Sequence, residues 1–257
     1  MKIRRYLMLV AACTFFLGKS FAANNEKPFV IPELQEWRGA QGMFTPSATS
    51  RIVWLGKDSA VARVANQFAE DYETMFGRKL TVVQGRASAG DFVFSLSGDR
   101  QLGEEGYAVR IADRVSISAP KAKGLYWATR TILQMTEQNS DQALPKGAVR
   151  DYPDYAIRGF MMDCGRKFIP MDFLRDYVKM MAYYKMNTFQ VHLNDNAFKQ
   201  YYEHDWNKTY SAFRLECETY PGLTARDGYY TKKEFIALQE LADSLGFRIL
   251  GLTFSPV

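Results

Sequence analysis

The chain has 257 residues, of which 47% are hydrophobic, 14% aromatic and 24% charged, with 18 Gly and 9 Pro. This composition excludes a disordered, collagen-like or disulfide-framework protein, and the length suits one large or two ordinary domains. The formal net charge of +5 would suit a nucleic-acid or membrane-surface protein. The position of those charges along the chain tests this interpretation.

Residues 1–22 have the pattern of a secretory signal peptide. A basic start is followed by an apolar run of 12 residues, Leu7 to Gly18, and by small residues at Ser20 and Ala22. The run is too short to span a bilayer. A lipoprotein acylation site at Cys13 is less favoured, because the apolar segment before it would be very short. We therefore expect an exported, periplasmic or extracellular protein without a membrane-spanning helix.

The signal peptide carries most of the net charge. It holds four cations and no acid, so its removal lowers the formal net charge from +5 to +1. No cluster of five or more Lys and Arg remains, and we expect no nucleic-acid partner. Two cysteines remain, Cys164 and Cys217, which are too few for a disulfide framework. Buried free thiols are the favoured interpretation.

Residues 23–150 have the pattern of a small α+β domain. Short β-type runs occur at Arg51–Leu55, Leu80–Val83, Asp91–Leu96, Tyr107–Ile111 and Arg114–Ser118. The last two are separated by Ala112-Asp113, as in a hairpin. Apolar residues at helical spacing predict helices over Val61–Met75 and Leu125–Met135. The polar segment Asn139–Gly147 contains Pro and Gly and is predicted to be a linker.

Residues 151–257 alternate strands with helices. Apolar strands are predicted at Ala156–Met162, Asn187–Leu193 and Phe247–Leu252, and helices at Phe173–Tyr184 and Phe235–Leu245. This order is typical of a parallel α/β sheet, and fully apolar strands indicate that both faces are covered.

A long insertion, Asn194–Asp227, separates the second strand from its helix. Residues 198–230 include nine aromatic side chains, about twice the chain average. Long loops after parallel strands usually carry function, and exposed rings would suit the C–H faces of sugars. A small hydrophobic core beneath the loop is an equal alternative.

Polar residues follow the ends of the first two strands. They are Asp163, Arg166 and Lys167 after the first, and His192, Asn194, Asp195 and Asn196 after the second. Because parallel α/β sheets bind ligands at the carboxyl ends of their strands, both groups are predicted to face one pocket. Arg158 lies within the first strand, where a buried charge needs a partner or a ligand.

Each of these residues also has a structural interpretation. Arg158 would pair with a structural carboxylate, Asp163 would cap the turn and pair with Arg166, His192 would bond a backbone carbonyl, and Asp195 would cap the insertion. Two histidines, His192 and His204, without a third ligand at the usual spacing indicate no metal site. The sequence has neither a Gly-rich phosphate loop nor a G-x-S-x-G motif.

Several motifs, in order, resemble glycoside hydrolase family 20. Residues 158–168 (RGFMMDCGRKF), 181–187 (MAYYKMN), 191–196 (VHLNDN), 220–223 (YPGL) and 228–234 (GYYTKKE) resemble its catalytic barrel. Residues 103–107 (GEEGY), 124–126 (GLY) and 131–134 (TILQ) resemble the non-catalytic domain before that barrel. The resemblance implies an α/β protein, with an N-terminal α+β domain over 23–150 and the first three strands of a (β/α)8 TIM barrel over 151–257.

The resemblance implies an exo-acting β-N-acetylhexosaminidase or lacto-N-biosidase. Such enzymes act on glycans with a terminal N-acetylhexosamine, use the substrate's 2-acetamido oxygen as nucleophile, and employ an adjacent Asp-Glu pair without a cofactor. Arg158 would hold sugar hydroxyls bidentately. The implied substrate-binding residues are Arg158, Asp163, Arg166, Gln190, His192 and Asp195.

Three positions depart from the commonest family pattern. Lys167 stands where many members have His, Gln190 stands where many have the first His of a His-x-His, and Asn196 replaces a second Asp. Gly165–Phe168 and His192–Asn196 are more similar to the lacto-N-biosidase branch, so the exact glycan stays open.

The length restricts what these residues can do. A complete barrel needs about 250 residues, whereas 103 run from Tyr155 to Val257. The Asp-Glu pair is expected beyond residue 257, and the family pattern Pro-Glu-Ile-Asp is replaced by Gly251–Val257. We therefore expect a truncated or frameshifted reading frame whose product is poorly soluble and inactive alone. A sugar-binding module without catalysis and a non-functional fragment are the two alternatives.

Overall fold

The computed structural model describes residues 23–252 except 197, 206 and 209, and without the side chains of Asn196, Ser211 and Leu252. The predicted signal peptide, with Cys13, and residues 253–257 lie outside the described residues. The helices are α1 (Ser59–Phe76), α2 (Ala122–Glu137), α3 (Met171–Tyr183) and α4 (Lys232–Ser244). The strands are β1 (Glu36–Phe44), β2 (Arg51–Trp54), β3 (Thr81–Gln84), β4 (Phe92–Leu96), β5 (Tyr107–Ile111), β6 (Val115–Ala119), β7 (Leu144–Asp151), β8 (Gly159–Asp163), β9 (Thr188–His192), β10 (Asn194–Asn196), β11 (Ser211–Phe213) and β12 (Arg248–Leu252).

The first part of the chain is a seven-stranded mixed sheet with the order β1-β7-β5-β6-β4-β2-β3. Strands β6, β4, β2 and β3 run parallel, whereas β1, β7, β5 and β6 are joined by antiparallel pairs. Strands β2 to β6 and helices α1 and α2 confirm the predicted elements. The predicted hairpin is also confirmed, because Ala108 on β5 pairs with Ser118 on β6.

Strands β1 and β7 form one side of this sheet, and the sequence pattern missed both. The linker prediction over Asn139–Gly147 is wrong from Leu144 onward, because β7 begins there. Strand β7 pairs with β1 on one side and with β5 on the other. Pro145 fits into it opposite Met43, where the register of the β1 pair shifts.

Aromatic side chains fill the core between this sheet and its helices. The Phe68 ring on α1 lies 5.5 Å from that of Phe92 and 5.6 Å from that of Phe94, both on the sheet. The Phe68–Phe92 pair is edge-to-face and the Phe68–Phe94 pair is tilted, and ring pairs at such distances add to the hydrophobic gain of burial. The same face of α1 buries Val61, Ala65 and Tyr72, as the helical spacing predicted.

The second part is a three-stranded parallel sheet with the order β12-β9-β8, and its helices confirm the predicted alternation. Strands β8 and β12 both pair with β9, and Met161 and Leu250 lie opposite Gln190 from the two sides. Met161 is 49% exposed and Leu250 44%. In the part of the chain that the structure describes, this face is therefore open, and the prediction that both faces are covered is wrong.

Glu105 joins the two parts of the chain. Its carboxylate accepts hydrogen bonds from Trp127 Nε1 (3.0 Å) and Asn187 Nδ2 (3.2 Å), and forms ion pairs with Lys123 (2.7 Å) and Arg158. Trp127 and Lys123 belong to α2, whereas Arg158 and Asn187 flank β8 and β9. Burial raises the pKa of Glu105, but the bonds from Lys123 and Arg158 outweigh it and lower this pKa below 4.5.

A second buried contact lies at the same junction. Lys185 Nζ donates to Asp151 Oδ2 at 3.0 Å and to the Tyr107 hydroxyl at 2.7 Å. Lys185 follows the end of α3 with φ 57°, a left-handed position that Gly usually takes. Since both charged side chains are buried, each depends on the other for compensation.

Neither Cys164 nor Cys217 forms a disulfide. Cys164 is buried, as predicted, and burial raises the pKa of its thiol, whereas Cys217 is half-buried. None of the helices in the described ranges combines the length and hydropathy that crossing a membrane requires.

Candidate functional site

The predicted site forms where β8 and β9 end. Asp163 is the last residue of β8 and His192 the last of β9, and the two are direct partners in the parallel register. Asp195 follows in β10, which pairs with β11 as a short antiparallel hairpin. The ligand atoms of Asp163, His192 and Asp195 thus come together at the carboxyl ends of the strands, as expected, whereas a shared pocket at this place stays a prediction.

Arg166 connects the two carboxylates. Its Nη1 lies 3.0 Å from Asp163 Oδ2 and its Nη2 lies 2.9 Å from Asp195 Oδ2. Its backbone N–H donates to Asp163 Oδ1 at 3.0 Å, so the carboxylate also caps the turn. His192 Nε2 lies 3.3 Å from Asp195 Oδ2. Asp163 therefore pairs with Arg166, as the structural interpretation predicts. Asp195 and His192 join this pair to form a cluster of four side chains.

The acidic side chains of this cluster lie close enough to ligate a cation. The ligand atoms of Asp163, His192 and Asp195 lie within 4.8 Å of one another. Arg166, however, already donates to both carboxylates, and a metal ion would have to displace its guanidinium. The donor set thus fits a neutral or hydroxyl-rich ligand better than a divalent metal.

Gln190 and Lys167 lie beside the cluster without bonding to it. Gln190 is on β9 two residues before His192, and the two therefore share a face of the sheet. Lys167 is exposed next to Arg166. In the parallel register, Gln190 and its partner Met161 lie two residues before His192 and Asp163.

Arg158 is not brought to this cluster. It precedes β8, whereas Asp163 ends it, which separates the two residues by roughly 16 Å along the strand. Its guanidinium donates to the carbonyl of Lys185 (2.7 Å), to that of Tyr155 (2.7 Å) and to Glu105. The interpretation of Arg158 as a sugar ligand is therefore corrected: the residue pairs with a structural carboxylate at the opposite end of the strand.

The aromatic insertion supports both interpretations made for it. Phe198 is 48% exposed and Tyr201 is 77% exposed. The Arg166 guanidinium lies over the Phe198 ring, with its carbon 4.9 Å from the ring centre. Tyr230, in contrast, is fully buried, with its ring 5.2 Å from that of Phe168. Residues 198–230 thus include a buried ring that packs on Phe168 and exposed rings near the cluster; Trp206 lies outside the described residues.

Two residues at the site were missed by the sequence reasoning. Gly165 packs so closely that a Cβ there would lie 2.7 Å from the backbone nitrogen of Asp195. Arg214 is 1% exposed and donates to the carbonyls of Cys164 and Gly165. A signal for Arg214 was present, since a lone Arg follows the apolar residues of β11, as Arg158 precedes those of β8.

The cluster has hydrogen-bond donors and acceptors that a ligand could reach, because the Arg166 side chain is partly exposed to solvent. The Arg166 side chain is 43% exposed. Two of its five N–H groups are used by Asp163 and Asp195, which leaves three for a ligand among the described contacts. Carboxylates, a guanidinium and an adjacent apolar ring together suit a ligand with hydroxyl groups on an apolar frame.

Models of one family match nearly all the described chain. Residues 27–152 match "Glycosyl hydrolase family 20, domain 2" and residues 155–252 match "Glycosyl hydrolase family 20, catalytic domain". The chain is 32% identical over 130 residues to a beta-hexosaminidase of Akkermansia muciniphila, a match that covers 50% of this chain and 26% of that protein. It is 36% identical over 104 residues to a beta-N-acetylhexosaminidase of Cellulomonas fimi, over 39% of this chain and 21% of that one.

Solved structures share the fold. A mutant beta-hexosaminidase of Streptomyces plicatus in complex with product (GlcNAc) matches 89% of this chain and 46% of its own, with a TM-score of 0.74 at 23% identity. The beta-N-acetylhexosaminidase of Streptomyces coelicolor gives a TM-score of 0.73 at 22% identity, over 90% and 47%. The chain spans under half the length of these structures and about a quarter of the curated relatives. It belongs to glycoside hydrolase family 20.

Proposed function

We propose that this chain provides the sugar-binding part of a β-N-acetylhexosaminidase-type glycosidase, and that its cluster binds the terminal N-acetylhexosamine of a glycan. The observation that carries the proposal is the placement of Arg166, held between Asp163 and Asp195 at the strand ends with its side chain partly open. The matched relatives carry the names beta-hexosaminidase and beta-N-acetylhexosaminidase, which supports this substrate class over other glycans.

The cluster would fix one sugar ring. The N–H groups of Arg166 that Asp163 and Asp195 do not use would donate to ring hydroxyls, and the Asp163 carboxylate would accept from such hydroxyls. The exposed Phe198 ring would lie against the apolar face of the ligand. Gln190 and His192 would line the floor, since they share the face of β9 that leads to the cluster.

In the whole enzyme, we propose that cleavage follows substrate-assisted chemistry. The 2-acetamido oxygen attacks C1 and forms the new C–O bond, the glycosidic bond breaks, and a Glu protonates the leaving oxygen. Water, deprotonated by the same Glu, then opens the oxazolinium-like ring. None of the Asp residues in the 257 is followed directly by a Glu, so we propose that these residues bind the sugar without cleaving it.

The proposed architecture follows the same division. Residues 23–150 form the non-catalytic α+β domain, and residues 151–257 contribute the first three strands of a (β/α)8 barrel. Support comes from the parallel order β8, β9, β12 with its intervening helices, and from the open face that includes Met161 and Leu250. In a closed barrel such a face would be packed with side chains from the other strands.

Binding of N-acetylglucosamine tests the proposed function. Calorimetric or NMR titration of the purified chain should show saturable binding, which Arg166→Ala should abolish and which Arg175→Ala should leave unchanged. Arg175 is a matched control, because it forms an exposed ion pair with Asp172 on α3. Equal binding by the two variants, or no binding by the parent chain, would contradict the proposal.

A chromogenic N-acetylglucosaminide tests the absence of cleavage. We expect no release of the chromophore by the purified chain at any pH between 4 and 8. Measurable turnover that Arg166→Ala removes would show that these residues hold a complete catalytic site after all.

We also propose that the protein is exported. The basic start, the apolar run Leu7–Gly18 and the small residues before position 23 support this proposal. N-terminal sequencing of the protein from a secreting host should begin at Ala23. An unprocessed Met1, or a lipid on Cys13, would exclude the cleaved signal peptide.

A further inference from the structure

Arg214 is a buried cation in the aromatic insertion, directly after β11. Its side chain is 1% exposed. A charge that is removed from water to this extent destabilises the fold unless hydrogen bonds compensate it. The acceptors of its hydrogen bonds show which segments of the chain Arg214 connects.

All five N–H groups of the Arg214 guanidinium have acceptors. Nε donates to the carbonyl of Cys164 at 2.9 Å, and Nη2 donates to that of Gly165 at 3.1 Å. Nη1 donates to the carbonyl of Gly228 at 2.9 Å. Asp227 receives the other two, from Nη1 at 2.5 Å and from Nη2 at 3.2 Å. The planar fork of arginine suits this arrangement, and a lysine could not reproduce it.

Two of these acceptors belong to the turn that carries the candidate site. Cys164 and Gly165 lie between Asp163 and Arg166, and their own N–H groups donate to the carbonyl of His192 at 2.9 and 3.0 Å. The turn is therefore held from both sides. The N–H groups of the turn donate to the last residue of β9, and the carbonyls of the turn accept from Arg214. Arg166 spans Asp163 and Asp195 only while this turn keeps its shape.

We propose that Arg214 is a positioning residue for the sugar-binding cluster, fixing the turn between Asp163 and Arg166 so that the Arg166 side chain faces the ligand. The proposal rests on the proposed function for its ligand, and on the contacts above for its geometry. Asp227 orients the guanidinium through two bonds. Reciprocally, the bonds from Arg214 hold the pKa of Asp227 below its usual value.

The test compares Arg214→Gln with Arg226→Gln in the full chain. Arg226 is an exposed residue of the same insertion, so its substitution removes an equal charge without touching the turn. The first measurement is hydrogen exchange at the amides of Cys164, Gly165 and Arg166, which needs no ligand. We expect about ten-fold faster exchange in Arg214→Gln at these amides, and parent rates in Arg226→Gln.

The second measurement is the Kd for N-acetylglucosamine, taken well below the Tm of each variant. A residue that only stabilised the fold would lower the Tm and leave the Kd of the folded protein unchanged. We expect Arg214→Gln to raise the Kd about ten-fold or more, because small displacements of binding groups are costly. Parent exchange rates, or a Kd within about two-fold of the parent value in a folded variant, would overturn the proposal.

A milder variant covers the case in which Arg214→Gln does not fold. Asp227→Asn removes the exposed ionic partner and keeps the three carbonyl contacts, and we expect about a three-fold change in both measurements; unchanged values would overturn the proposal. If the parent chain binds no N-acetylglucosamine, the proposed function fails. The exchange rates alone then decide whether Arg214 holds the turn.

Discussion

At the scale of single residues, the site depends on close backbone packing as well as on charge. Gly165 is the clearest example, because an added Cβ would meet the backbone of Asn194 and Asp195 at 2.7 to 2.8 Å. Real Cβ atoms do not approach backbone so closely, and the backbone cannot yield as a flexible side chain would. Glycine at 165 thus permits the turn after β8 to contact the start of the insertion.

We predict that Gly165→Ala displaces this turn. The expected loss of stability is about 1–3 kcal/mol, typical of overpacking, and binding of N-acetylglucosamine should weaken because Arg166 moves with the turn. Gly98→Ala is the control, since a Cβ there meets nothing within 4 Å. Urea unfolding and titration measure the two effects. Equal stability of the two variants would show that the turn adapts without cost.

The sequence pattern located the cluster, and of its two interpretations of Arg158 the structure supports the pairing with a structural carboxylate. Asp163, His192 and Asp195 were found because the ends of parallel strands meet at one edge, a rule that needs no knowledge of side-chain contacts. Arg158 could not be assigned in this way, since its partner Glu105 lies 53 residues away, in the turn before β5. The role of Arg214 was missed for a similar reason, because the groups that accept its hydrogen bonds come together only in the folded chain.

At the scale of elements, the helices were predictable and two strands were not. Helices α1 and α2 have regular apolar faces, and α1 also has its start and stop signals, Asp58 and Gly77. Strands β1 and β7 contain Gly, Pro and charged residues without clear alternation. These two strands extend the sheet at one edge, where β7 pairs with β5 and β1 pairs with β7. Local propensity does not record such pairing.

Helix α4 has a capping box that can be tested directly. The Thr231 side chain accepts from the Glu234 N–H, and the Glu234 carboxylate accepts from the Thr231 N–H. We predict that Thr231→Val lowers stability by about 1 kcal/mol, because the Glu234 N–H loses the hydroxyl oxygen that accepts from it. Thr231→Ser keeps the hydroxyl and should stay near the parent value. Urea midpoints that are equal for Val and Ser would contradict this role.

At the scale of the whole molecule, buried ionic contacts join the two sheets. Lys185 and Asp151 form one such pair, with the Tyr107 hydroxyl bonded to both. We predict that Lys185→Met destabilises the protein by about 3–5 kcal/mol, because it leaves the Asp151 carboxylate buried without a cation.

Replacing both partners separates this electrostatic loss from a packing defect. The double variant Lys185→Met, Asp151→Asn removes the unpaired charge, and it should recover part of the lost stability. Thermal unfolding of the parent, single and double variants measures the coupling. A double variant no more stable than Lys185→Met would show that the ionic pair is not the cause.

The lowered pKa of Glu105 predicts how stability depends on pH. A carboxyl with a lower pKa folded than unfolded stabilises the fold above its unfolded value, near 4.5, and this contribution disappears as pH falls through the folded value. Glu105→Gln should therefore cost stability at pH 7 and reduce the stability lost between pH 7 and pH 3. Tm measured across this range tests the sign. A constant difference between the two proteins would contradict it.

The position of Glu105 also limits how the two halves of the chain can recombine during evolution. One carboxylate satisfies donors from α2 and from the segments flanking β8 and β9, so neither half of the chain can vary freely at this contact. If recombination exchanged one half for that of a distant homologue, the new pair would have to restore both Glu105 and Arg158, or lose both together. A chimaera that replaced only Glu105 would leave the Arg158 guanidinium without its carboxylate, whereas one that replaced only Arg158 would keep the Glu105 pair with Lys123.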